Sequence, residues 1–219
     1  MKKLVLSIIF LLGFSTTAFA TGSVGFTISK ADVKSSLQDD IDNNGSIDTT
    51  KNISNDVTFA SIFFEKAVNE NMSIGIDFIP FEADFESRST TQSSIKEKGS
   101  STTTGTNKGT ADVSKHLTFY LQPQKEIRDG LKVFGTVGLV RADVESKVQS
   151  ISSTDKTVDQ SLDGTKLGIG LKKETGFGFI KFEYSETDYD DISTTTSNNT
   201  KVTADIDTEI LALSVARNF

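Results

Sequence analysis

The chain has 219 residues, a net charge of −7 and no cysteine. An acidic balance gives no basis for nucleic-acid binding, which needs clustered Lys and Arg to neutralise phosphate. The lack of cysteine excludes disulfides, thiolate metal centres and an acylated lipoprotein anchor.

The first twenty residues read MKKLVLSIIFLLGFSTTAFA. Lys2 and Lys3 form a basic start, Leu4 to Phe14 an apolar core, and Ala18-Phe19-Ala20 a small-residue cleavage site. This predicts a signal peptide over 1–20 and an exported domain over 21–219. The apolar core is too short to span a bilayer as a helix, and no later run approaches about 18 apolar residues. Beyond it there is no helical periodicity; 16 Phe and 16 Gly stand with two Pro among Ser/Thr/Asn/Asp-rich stretches, as suits strands joined by polar loops.

Strand one is expected near Ser23 to Val33, with Val24, Phe26 and Ile28 on one face, followed by a loop through Asn55. Strand two covers about Asp56 to Ala67, where Phe63-Phe64 leaves the facing open. A tight turn at Val68 to Asn71 leads into strand three, in which Met72, Ile74, Ile76 and Phe78 alternate with Ser73, Gly75 and Asp77. Ser87 to Gly109 is low in complexity and reads as a mobile loop. Strand four, about Ala111 to Gln122, sets Leu117, Phe119 and Leu121 against His116, Thr118, Tyr120 and Gln122. Pro123 to Gly130 returns the chain to strand five, about Leu131 to Val144. A polar loop spans Lys147 to Leu162. Strand six sets Leu167, Ile169 and Leu171 against Lys166, Gly168, Gly170 and Lys172, and a turn at Lys173 to Gly176 follows. Strand seven, about Phe177 to Asp188, has Ile180, Phe182 and Tyr184 opposite Lys181 and Glu183, with Phe177 and Phe179 out of step. The last loop runs to Val202. The eighth strand closes the chain, with Leu211, Leu213 and Val215 alternating with Ala212, Ser214 and Ala216 before Phe219.

Greasy and small polar faces alternating at period two fit a wall with lipid outside and a polar lumen inside. Long and short connections also alternate. Eight strands then place both termini and three short turns in the periplasm and four long loops outside the cell. Apolar bands of about ten residues at about 45° tilt would cover about 25 Å. The expected fold is all-β, an eight-stranded antiparallel up-and-down transmembrane barrel, closed because lipid offers unpaired backbone groups no partner.

The chain resembles the small eight-stranded outer-membrane barrels, the OmpA transmembrane-domain and OmpX-like proteins, over essentially its whole mature length. The resemblance is carried by the last strand, with Leu211, Leu213, Val215 and Phe219, and it implies that this strand is the signal read by the barrel-assembly machinery. It also implies periplasmic chaperones during export, an outer-membrane location among lipid and lipopolysaccharide, and a monomer; unlike full-length OmpA proteins, the chain is expected to lack a carboxy-terminal peptidoglycan-binding domain. Arg217 departs from the pattern, where an apolar residue is usual.

Several constellations could carry chemistry. In DDIDNNGSID, residues 39–48, Asp40, Asp42, Asn44, Gly45 and Asp48 match positions one, three, five, six and nine of a calcium loop. Lys51 stands where the bidentate Glu belongs, and an Asn-Gly turn in an acidic loop explains the same residues. A second cluster, Glu186, Asp188, Asp190, Asp191, Asp205 and Asp207, forms an acidic outer rim that could draw cations or is simply hydrated. Parity places Asp77, Lys166, Lys172, Lys181 and Glu183 in the lumen, either as interior salt bridges or as a gate for small ions. His116, with Ser114 two residues away, is the sole trace of a hydrolase pair, and no G-x-S-x-G elbow accompanies it. The sequence thus points to a structural, surface-displaying barrel without catalysis or cofactor, with a narrow porin as the alternative and a lipid-modifying enzyme third.

Overall fold

The computed structural model describes residues 22–40, 43–80, 83–95, 103–150, 153–195 and 201–219. The predicted signal peptide lies outside them. Ten strands follow in order: β1 (Gly22–Asp40), β2 (Thr49–Asn69), β3 (Met72–Ile79), β4 (Ala83–Ile95), β5 (Thr103–Arg128), β6 (Leu131–Ser150), β7 (Ser153–Glu174), β8 (Gly178–Tyr189), β9 (Ile192–Thr195) and β10 (Lys201–Asn218). Eight of them close a ring in the order β1-β2-β3-β5-β6-β7-β8-β10, sealed by the antiparallel β1–β10 ladder from Ser23↔Asn218 to Asp40↔Lys201. The other two extend neighbours. β4 resumes after Pro80, which has no N–H to give a ladder, and pairs with β5. β9 resumes after Asp190 and Asp191 and pairs with β10.

The expected alternation is present, with large apolar side chains turned outward. Phe26, Ile28 and Leu139 are about two-thirds exposed, whereas Thr27 and Thr136 beside them on the inner wall are buried. Such a surface is stable only where the outer solvent is lipid. The facing left open in strand two is resolved by burial: Phe63 is inside and Phe64 outside. In β8, Phe179 is inside, and Phe177 sits in the turn before the strand.

The long connections differ from expectation. Ser87 to Gly109 is largely strand, forming the β4–β5 hairpin, and Lys147 to Leu162 falls mostly within the β6–β7 hairpin. β1 and β2 run on to Asp39↔Thr49, and Pro123 to Arg128 belongs to β5, leaving Asp129-Gly130 as its turn. These stretches are rich in Ser, Thr, Asp and Lys and carry no regular apolar alternation. Thr-rich sequence still favours extended backbone, and the neighbouring ladder satisfies its polar groups.

The lipid-facing band is also shorter than expected. On β10 three apolar side chains, Val215, Leu213 and Leu211, stand between outward Arg217 and Glu209. At about 3.3 Å per residue and 45° tilt that interval spans about 19 Å, so the flanking long charged side chains must reach to the interfaces.

Candidate functional site: the barrel lumen

The inner wall combines rings laid against glycines with charges in the middle. Phe63 lies over Gly25 of β1, Tyr120 over Gly75 of β3, and Phe134 over Gly170 of β7; a Cβ on any of these glycines would sit 2.2–2.4 Å from ring carbon. Only glycine lets the rings lie so close to the wall. Phe63 and Phe179 approach each other across the lumen, with centroids 6.2 Å apart.

Among these rings sits Glu65, which the sequence reading did not single out. Its carboxylate accepts from Lys172 Nζ through Oε1 and from Lys181 Nζ through Oε2, the latter at 2.8 Å. Lys172 also donates to Gln124 Oε1 at 3.1 Å, and Tyr120 Oη donates to Glu65 at 3.3 Å. The ammonium groups rest on ring faces, Lys181 4.3 Å from the Phe63 centroid and Lys172 4.5 Å from that of Phe179. Two cations sharing one carboxylate are thus partly held by the rings' quadrupoles. The alternation Ser61, Phe63, Glu65 was the signal for Glu65, obscured by the apolar pair at 63–64.

Of the residues placed inside by parity, Lys166 and Glu183 form a 2.7 Å ion pair. Glu183 also accepts from Thr136 Oγ1 at 3.2 Å, and Thr136 accepts from Gln122 Nε2 at 3.2 Å. Asp77 accepts from Ser61 Oγ at 2.8 Å. Asp77, Lys166 and Glu183 border a cavity of about 50 Å³, together with His116 and Thr118. That is room for a few water molecules. Towards the outer mouth, Val140, Ala142, Val144, Leu162 and Tyr189 form an apolar cluster.

His116 reaches the lumen from a bulge. Ser114 pairs with Asp143 and Leu117 with Arg141, so Lys115 and His116 together face Ala142, with Lys115 at φ 51°. The ring nitrogen Nε2 shares a 2.9 Å hydrogen bond with Tyr189 Oη. The bulge puts one extra residue opposite Ala142, which reverses alternation along the strand at that point.

The first loop is built around Asp40. Its carboxylate accepts from the backbone N–H of Asn44 at 3.0 Å and of Gly45 at 2.7 Å, while Asn44 Oδ1 accepts from Ser46 N–H. Asp48 N–H donates to Asp39 O at 2.8 Å. Asp42 lies outside the described residues, and among those described no group of three acidic or His side chains is placed to hold a metal. On the outer rim, Glu209 stands directly opposite Glu186, and Asp207 opposite Asp188. Glu209 also pairs with Lys34 on the other side. At the carboxy terminus, Leu211, Leu213 and Val215 face outward, and the Phe219 ring covers Gly22 while its N–H donates to Gly22 O at 2.9 Å.

The model of the outer membrane protein beta-barrel domain matches residues 6–219. A comparison with curated proteins gave no match. Among solved structures, the outer membrane protease OmpT of Escherichia coli is similar at a TM-score of 0.54 and 6% identity, over 94% of this chain and 99% of that one. Neisserial surface protein A matches at 0.43 and 10% identity, over 89% and 97%. Ail of Yersinia pestis, solved with the heparin analogue sucrose octasulfate, matches at 0.38 and 13%, over 87% and 98%. At these identities the likeness concerns the fold alone. With the family model spanning nearly the whole chain and a closed ring whose apolar side chains face outward, the protein belongs to the outer membrane protein β-barrel family and resides in the bacterial outer membrane.

Proposed function

We propose that this barrel is a closed structural element of the cell envelope that displays acidic, Ser/Thr-rich hairpins outside the cell. The observation that carries this reading is the Glu65–Lys172–Lys181 cluster among Phe63, Phe179 and Tyr120. It ties opposite walls together. An ion crossing there would have to separate buried charges in a low-dielectric interior, where leaving one unpaired costs several kcal/mol. His116, bonded to Tyr189, serves packing.

On this reading the leader over 1–20 is removed after Sec-type export, periplasmic chaperones carry the chain, and the closing strand is recognised during assembly. The folded protein is a monomer, in contact with lipopolysaccharide. Planar-bilayer recording of the refolded barrel tests it. The closed-barrel reading expects no discrete openings from the wild type. Regular openings altered by Lys166→Gln or Glu183→Gln would instead establish a narrow pore. Lipid hydrolysis lost on His116→Ala would establish an enzyme.

A further inference from the structure

The outer wall is not uniform. On β6 the outward row reads Val133, Gly135, Val137, Leu139, and the bare Gly135 lies in the floor of a shallow, open furrow. Its walls are Pro123 of β5 and Val133 and Ile169 of β6 and β7, with Lys125 and Asn71 at its periplasmic end. The dent is not demanded by the sheet. A Cβ at Gly135 would meet Gly168 O at 3.7 Å and Pro123 Cγ at 3.8 Å, ordinary contacts, unlike the inward glycines under the aromatic rings.

Lys125 stands opposite Val133 in the ladder and is exposed, and it has no ion pair or hydrogen bond among the described residues. Among the described residues, Glu126 accepts from Gly130 N–H, Glu174 pairs with Lys132 at 2.5 Å, and the exposed Glu70, beside Asn71, makes no ion pair with Lys125. An unpaired cation at the foot of an apolar furrow, on a wall that faces lipid, matches a molecule with an anionic head and a hydrocarbon tail.

We infer that the furrow around Gly135 seats one acyl chain of an anionic phospholipid of the periplasmic leaflet, whose phosphate lies against Lys125. The leaflet follows from position, since Lys125 lies near the short Asp129-Gly130 turn and not the long hairpins. A phosphate gains charge attraction at Lys125, and the tail fills a space that straight annular lipid would bridge at the loss of dispersion contacts.

Native mass spectrometry of the detergent-solubilised barrel with phosphatidylglycerol or phosphatidylcholine of identical chains tests this. The wild type is expected to retain one phosphatidylglycerol with about five-fold preference, the factor expected for one lysine at a membrane surface. Lys125→Gln should bring the two lipids to parity. Gly135→Leu, which raises a side chain from the floor of the furrow into the path of the tail, should reduce retention of both to background. Lys66→Gln, an outward cation that does not line this furrow, should change nothing. Equal retention by Gly135→Leu and wild type, an unaltered preference in Lys125→Gln, or no retained lipid at all would overturn the assignment, as would a change of oligomeric state, instead of lipid retention, in Gly135→Leu. Should Gly135→Leu fail to fold, the Lys125→Gln comparison decides alone.

Discussion

Glu65 and Lys172 stand on diametrically opposite strands, β2 and β7, with three strands between them on either side of the ring, and their side chains meet in the centre. The contact spans the whole diameter of the lumen. A barrel of eight strands is narrow enough for side chains to fill it, and this one is filled by charge and aromatic ring together.

Removing the acid from that cluster should be costly. Glu65→Gln leaves Lys172 and Lys181 facing each other without a counter-charge in a buried setting. The expected loss is about 3–5 kcal/mol, read from urea unfolding in lipid vesicles. Adding Lys172→Met should recover part of it, because one fewer buried cation then needs a partner.

The rings laid over glycines make a second prediction. Gly75→Ala would bring a methyl to 2.2 Å from Tyr120 Cζ and should cost about 1–3 kcal/mol by overpacking. Combined with Tyr120→Ser, the same change should be nearly silent. A double-mutant cycle in which the two effects simply add would refute the steric account.

The outer rim places like charges face to face. Glu186→Gln should stabilise the barrel by up to about 1 kcal/mol, since Glu209 lies directly opposite, and the gain should shrink in high salt. Burial first, then Asp205 and Asp188, push the Asp207 carboxyl above its ordinary value. The folded barrel therefore holds that proton more tightly than the unfolded chain does. Its contribution is full below the ordinary carboxylate range near pH 4 and is lost as pH rises through the raised value. Comparing Asp207→Asn with wild type across pH 4–7 should show that dependence only in the wild type.

Phe219 allows recognition to be separated from packing. Its ring is three-quarters exposed and covers Gly22, so Phe219→Ala keeps the seam N–H and should alter equilibrium stability by less than about 1 kcal/mol. If the closing strand is read during assembly, the same change should sharply lower the amount of folded barrel in cells. Equal folded amounts would reduce Phe219 to a seam cover.

In the first loop, calcium and the turn compete for one carboxylate. Asp40 already accepts two backbone N–H groups, and the turn-cap role predicts calorimetric traces with calcium that are equally blank for wild type and Asp40→Ala. A binding heat present only in the wild type would establish a cation site.

The barrel was legible in the sequence because period-two alternation is a local property: Leu211, Leu213 and Val215 declare an outward face without reference to any other strand. The same parity carried Asp77, Lys166, Lys172, Lys181 and Glu183 to the interior. Where the pattern was broken by Phe63-Phe64, facing could not be read and Glu65 was hidden, whereas His116 keeps the inward facing that its parity with Thr118 and Tyr120 gave. The polar hairpins were also illegible, since their Ser/Thr-rich strands carry no regular apolar alternation. Only closure of the ring decided which charges meet, because partners such as Glu65 and Lys172 lie 107 residues apart. Facing is set within one strand, whereas the distance across a lumen is set by all eight.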